Sequence, residues 1–163
     1  MNNLIDSNHL LPEPEDARYV DSIFRHFKAL GAKQKGKRGE IITRDVLSKL
    51  NFLIESPVST DHDMILDGVK CEIKSSTLGK NTENFSFLQI RPDQDYDKLI
   101  FSMFYPDELV IMSMEKSDVL RNIEEGVFKK QHGGNKAESR TFLYYGNFDT
   151  LKTIGAKEII RCV

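Results

Sequence analysis

The stretch Asp61-His62-Asp63-Met64-Ile65-Leu66-Asp67-Gly68-Val69-Lys70-Cys71-Glu72-Ile73-Lys74 decides the fold. Asp-Gly is a favoured dipeptide for a two-residue hairpin turn, because both central residues there need positive φ. A turn at Asp67-Gly68 sets Leu66 opposite Val69, Met64 opposite Cys71 and Asp63 opposite Glu72. Asp61 faces Lys74 if the pairing reaches that far. Strand side chains alternate between faces. One face therefore carries Met64, Leu66, Val69, Cys71 and Ile73, and the other carries Asp61, Asp63, Ile65, Lys70, Glu72 and Lys74. The first belongs to a core, and the second gathers carboxylates and amines.

Like charges directly opposed on a hairpin are destabilising, so Asp63 against Glu72 calls for something positive between them. Mg²⁺ suits the place, since it takes one or two carboxylates together with waters and substrate phosphate oxygens. The backbone carbonyl of Ile73 offers a further ligand. Lys74 lies two residues beyond Glu72 on the same face, within reach of a water or of the phosphate under attack. Such a set fits phosphodiester hydrolysis, in which a cation acidifies water and neutralises phosphoryl charge while an ammonium stabilises developing charge. The same face also reads as a solvated hairpin surface, with Lys70 and Lys74 offsetting Asp61, Asp63 and Glu72 at modest gain.

Upstream, Pro12 and Pro14 precede a predicted helix over 15–30, in which Ala17, Val20, Ile23, Phe24, Phe27 and Leu30 recur at helical spacing. Gly31 fits its stop. Residues 33–39 read as a basic, mobile loop. A second helix is expected over 39–50, with Ile41, Ile42, Val46, Leu47 and Leu50 on its apolar side and Glu40 in its first turn, where a carboxylate suits the helix dipole. Residues 25–49 hold Arg25, Lys28, Lys33, Lys35, Lys37, Arg38, Arg44 and Lys49 against only Glu40 and Asp45. This local excess marks either a phosphate-facing surface or a solvated helix face.

Downstream, strands are expected over 86–91, 97–104 and 109–114, the last after the Pro106-Asp107 turn. Ser117 or Asp118 caps a short helix ending near Gly126. Residues 129–140 form a polar loop around Gly133-Gly134. A strand over 141–145, a short helix over 147–154 and a strand over 156–163 complete the chain. Helices followed by strands imply an α+β fold with a mixed sheet.

Composition bounds the rest. The chain has 163 residues, 39% hydrophobic and 29% charged, which suits one domain over 1–163. Its parts are the N-terminal helices 15–50, the catalytic hairpin and sheet 60–115, and the C-terminal strands with the basic loop 117–163. No apolar run approaches the ~20 residues that span a bilayer, and the N-terminus lacks the basic and apolar regions of a secretory signal. Cys71 and Cys162 suggest neither a disulfide framework nor a zinc site. A cytoplasmic protein with reduced thiols is expected. The net charge of −2 and pI near 6.1 do not announce a nucleic-acid binder, so any such surface must be local.

Asp63, followed by Glu72-Ile73-Lys74 with Ser75 and Ser76 behind it, resembles the PD-(D/E)xK nuclease superfamily, which includes most type II restriction endonucleases, several repair nucleases and the archaeal Holliday-junction resolvases. The resemblance covers roughly residues 36–105. It implies a restriction-endonuclease-like mixed β-sheet flanked by α-helices, with Asp63, Glu72 and Lys74 catalytic, and Mg²⁺ on Asp63, Glu72 and the Ile73 carbonyl. Glu40, in Gly39-Glu40-Ile41-Ile42, matches the glutamate that an upstream helix often adds. Phe87 to Pro92, followed by Asp95 to Ile100, looks like the third core strand and helical turn of restriction-type members. His62 stands where the family pattern has proline, and Asp61 rivals Asp63 as the metal ligand.

The resemblance implies double-stranded DNA as the partner and a homodimer, because cutting both strands of a palindrome calls for two-fold symmetry. Candidate DNA contacts are Lys35, Lys37, Arg38, Gln89, Arg91, Lys130, His132, Asn135 and Lys136. Gln89 also reads as an edge-strand glutamine, and His132 as an incidental loop histidine. A type II restriction endonuclease is the leading expectation, with a resolvase or a repair or phage nuclease next. A non-catalytic DNA-binding module is the alternative of another class.

Overall fold

The computed structural model describes residues 14–131 and 140–163. Its centre is a six-stranded mixed sheet in the order β1-β2-β3-β5-β6-β9. The strands are β1 (Ile54–Glu55), β2 (Met64–Leu66), β3 (Val69–Thr77), β5 (Lys98–Phe104), β6 (Leu109–Glu115) and β9 (Lys157–Cys162). A smaller three-stranded sheet has the order β4-β8-β7, from β4 (Phe85–Ile90), β7 (Lys129–Lys130) and β8 (Phe142–Gly146). The helices are α1 (Arg25–Ala29), α2 (Ala32–Lys49), α3 (Lys116–Glu124) and α4 (Phe148–Thr153).

The hairpin forms in the expected register. Leu66 pairs with Val69, Ile65 with Lys70 and Met64 with Cys71. Asp67 and Gly68 turn it with φ of 48° and 82°. Met64, Leu66, Cys71 and Ile73 are buried against Phe27 and Leu47 of the helices, so the apolar face lies where alternation puts it. The opposite face of the main sheet is covered too: Leu99, Phe101, Met103, Met112 and Met114 pack with Phe85, Phe87 and Tyr144 of the small sheet and Val119 of α3. The fold is α+β, with helices on one face of the mixed sheet and a second sheet with short helices on the other.

The strand over 86–91 forms but is not the third strand of the main sheet. That place belongs to β5, which runs parallel to β3 with Glu72 beside Leu99 and Lys74 beside Phe101. The reason lies in patterning. Residues Leu99 to Phe104 are all buried, as a central strand covered on both faces requires. In β4, by contrast, exposed residues separate Phe85, Phe87 and Ile90, which suits a one-sided covering layer. Asp95 to Ile100 forms no helical turn, because Lys98 already begins β5.

The N-terminal segment departs most from expectation. Residues 15–30 are not one helix but a 3₁₀ turn at Ala17–Tyr19 followed by α1. The Asp16 side chain accepts from the Arg18 backbone N–H, and the Ser22 hydroxyl accepts from that of Phe24. These local bonds compete with helical ones. Tyr19 turns inward, donating to the Phe104 carbonyl at 2.6 Å, while Ile23 is left 66% exposed.

Residues 33–39 are not a loop, since α2 begins at Ala32. Gly31 caps the start of α2 as well as ending α1, and Glu40 sits in the body of the helix rather than its first turn. The side buried against the sheet is Gly39, Thr43 and Leu47, a strict i, i+4, i+8 row. Ile41 and Leu50 are exposed. Neither Ser117 nor Asp118 caps α3. Its N-cap is Glu115, and Asp118 instead pairs with Arg121 at 2.6 Å. The two-residue strand β1, too short to show a periodicity, extends the sheet beyond β2.

Candidate active site on the open edge of β3

β2 is only three residues long, so β3 loses its neighbour on that side after Cys71. Asp63 bridges the end of the ladder. Its backbone N–H donates to the Cys71 carbonyl at 2.9 Å, and its side-chain Oδ2 accepts from the Ile73 N–H at 2.7 Å. The carboxylate thus takes the place of the next strand residue and is held at the edge. In a strand the N–H and C=O of one residue point to the same side, so the Ile73 carbonyl faces this open edge as well.

Glu72 and Lys74 share the next face. Lys74 Nζ donates to Glu72 Oε1 at 2.7 Å, and both side chains are largely buried. Burial raises the Glu72 carboxyl above its ordinary value; Lys74 opposes the shift, and the hydrogen-bonded carboxyl of Asp63 reinforces it. Glu40 approaches from α2. Burial, and then the charge of Asp63, push its carboxyl from 4.5 to about 7, against the pull of Lys74, Arg44 and Lys37. Asp63 therefore acts on both Glu72 and Glu40, while Lys74 offsets those two carboxyls. Asp61 stays out of the set: the ladder ends before it could face Lys74, and its N–H donates to Ser59 Oγ in the preceding turn. Lys70, expected on this face, pairs with Asp95 at 2.6 Å instead.

Beside these groups lies a cleft of about 970 Å³ whose lining includes Lys33, Lys35, Lys37 and Glu40 from α2, Ile73 to Thr77 from β3, and Ser86, Leu88 and Gln89 from β4. Of the expected DNA contacts, Lys35, Lys37 and Gln89 line it. Arg38, Arg91 and Lys130 are exposed and do not. His132, Asn135 and Lys136 lie outside the described residues. The reading of the sequence missed Lys33 and the Ser75-Ser76-Thr77 run as cleft walls. The signal was present in three small hydroxyl residues following Lys74, an unusual polar end for a strand whose first half is apolar on one face.

Asp63, Glu72 and the Ile73 carbonyl offer the oxygen donors that a hard divalent cation takes, and the mutual repulsion of the carboxylates is the condition that a cation relieves. Among the described residues no group of three His, Cys, Asp or Glu side chains is arranged to hold a metal. Mg²⁺ commonly takes one or two carboxylates, the rest of its shell being solvent or substrate oxygen, and Asp63 and Glu72 are the pair that could supply them.

No family model matches the sequence, and no curated protein matches it. Among solved structures, a bacterial homing endonuclease superposes on 72% of this chain and 75% of its own, with 14% sequence identity and a TM-score of 0.46. Among the described residues no helix is long and apolar enough to cross a membrane.

Proposed function

We propose that this chain is a Mg²⁺-dependent endonuclease that hydrolyses phosphodiester bonds of double-stranded DNA, with Asp63, Glu72 and Lys74 as its catalytic set and Glu40 as the accessory carboxylate that serves as base. The observation that carries the reading is the coupling of Asp63, Glu72 and Glu40 at a strand edge, with Lys74 bonded to Glu72, beside a cleft walled by lysines and hydroxyl side chains.

Asp63, Glu72 and the Ile73 carbonyl would hold the cation, which supplies charge neutralisation at the phosphoryl oxygens and acidifies the attacking water. Lys74, steadied by Glu72, presents a positive charge where negative charge develops on the phosphate. Glu40, which lines the cleft, would accept a proton from the water. The water oxygen bonds to phosphorus as one P–O ester bond breaks, its proton passes to a Glu40 carboxylate oxygen, and the leaving oxygen takes a proton from solvent. Lys33, Lys35 and Lys37 along one wall bring positive charge to the neighbouring phosphates.

Within this reading the specific form is a type II restriction endonuclease acting as a homodimer on a short duplex site. The test offers the protein linear duplex DNA of diverse sequence and a four-way junction in Mg²⁺, with sedimentation of the free protein alongside. Discrete fragments from linear duplex and a dimeric protein support the restriction form. Cleavage confined to the junction replaces it with a resolvase. Survival of both substrates in Mg²⁺ and Mn²⁺ overturns the nuclease reading.

A further inference from the structure

Two adjacent residues of β4, Leu88 and Gln89, both face the cleft, although neighbouring strand residues normally point to opposite faces. A bulge makes this possible. Phe87 pairs with Tyr144 and Ile90 with Phe142, and the register shifts between them. Phe87 and Ile90 stay fully buried on either side, so the two residues between them are pushed outward together. Gln89 carries a φ of 55°, a left-handed conformation that costs a non-glycine residue of order 1 kcal/mol or more. Its N–H, released from the ladder, donates to Gln131 Oε1 at 2.6 Å. Leu88 remains 42% exposed beside the site, where a polar residue would be expected if the bulge served solubility alone.

The pair has complementary chemistry. A glutamine amide carries a donor and an acceptor that match the N6 and N7 positions of adenine in the major groove, and an apolar side chain suits the methyl group of thymine. Ser86 of the same strand lines the cleft as well, so the bulge presents its two side chains along a continuous wall. Bulges commonly re-aim side chains next to functional sites.

We propose that the Leu88–Gln89 bulge is the base-reading element of this protein, with Gln89 hydrogen-bonding an adenine edge and Leu88 packing on thymine in the major groove beside the scissile phosphate. This rests on the nuclease reading for its substrate and adds what that reading lacks, the part of the cleft that discriminates sequence.

The test is binding selection from a randomised duplex pool with Ca²⁺ replacing Mg²⁺, using wild type, Gln89→Ala, Gln89→Gly and Leu88→Ala, each first shown to melt cooperatively. Wild type should enrich an A·T pair at a fixed position, and loss of the amide should reduce discrimination there about 5- to 150-fold. Gln89→Gly is the decisive control, because glycine adopts the positive φ without strain. If the glycine variant keeps the wild-type profile, Gln89 serves the backbone and the proposal fails. It fails equally if wild type shows no base preference, or if the profiles of wild type and Gln89→Ala coincide. Absence of binding to any duplex also overturns it, and cleavage in Mg²⁺ then decides the nuclease reading separately.

Discussion

Gly39 of α2 lies so close to Ser75 of β3 that a methyl group on Gly39 would overlap both Cβ and Oγ of the serine. Glu40 follows that glycine and Lys74 precedes that serine. The tight crossing therefore sets how near the helix carboxylate comes to the strand ammonium. Glycine is required by this approach and not by its backbone, for it carries no positive φ.

Two glycines of one helix should respond with opposite sign to alanine. Gly39→Ala forces Ser75 and the helix apart and should cost about 1–3 kcal/mol, as overpacking does. A Cβ at Gly36 meets nothing within 4 Å, so Gly36→Ala should add about 0.5–1 kcal/mol by improving helix propensity. Urea midpoints of the two variants against wild type measure both.

The same helix face is locked by hydroxyl groups. Thr43 Oγ1 bonds to the Gly39 carbonyl at 2.7 Å and to Ser102 Oγ at 2.7 Å, with both residues fully buried. Thr43→Val keeps the shape and strands the serine oxygen, at an expected cost of about 1–3 kcal/mol. Thr43→Val combined with Ser102→Ala should recover part of the loss, which a double-mutant cycle in urea would register.

Glu40 gives the protein a pH dependence in the absence of divalent cation. Its folded carboxyl titrates near 7 against an ordinary 4.5, so the folded state binds the proton more tightly than the unfolded state. Its favourable contribution is complete below 4.5 and is lost as the pH rises through 7. Glu40→Gln should match wild type at pH 4 and exceed it at pH 8 by about 1–2 kcal/mol, once solvent screening of this half-buried group is discounted. Equal denaturation midpoints at pH 8 would contradict this.

Divalent cation should offset the same crowding. Mg²⁺ at about a hundred times its dissociation constant should stabilise wild type by about 2.7 kcal/mol. Asp63→Asn retains an oxygen to accept from Ile73 N–H while losing the charge, so its fold should survive and its melting temperature should respond little to Mg²⁺. Parallel thermal melts with and without the ion compare them.

The hairpin was legible because its turn, alternation and opposed charges are local signals, and Asp67-Gly68 fixes the register that brings Asp63 to Glu72 and Ile73. The start of α2 was hidden by Gly36 and Gly39, which read as loop residues until the contact with Ser75 is known. Tyr19 and Ser22 broke a well-spaced helical pattern through bonds to residues Phe104 and Pro106, partners more than eighty positions away. The placement of β4 and β5 depended on burial on one face or both, and the bulge at Gln89 on pairing with β8. The near-continuous apolar run of Leu99 to Phe104 carried the first of these signals, whereas nothing local reports the bulge.

The most direct measurement is cleavage of supercoiled and linear DNA in Mg²⁺ by wild type beside Lys74→Ala and Glu72→Ala. Wild type should cleave both, with each variant slower by a factor on the order of 10²–10³ and activity abolished by chelation. Intact DNA with wild type, or a Lys74→Ala protein that cuts at the wild-type rate, would contradict this catalytic assignment.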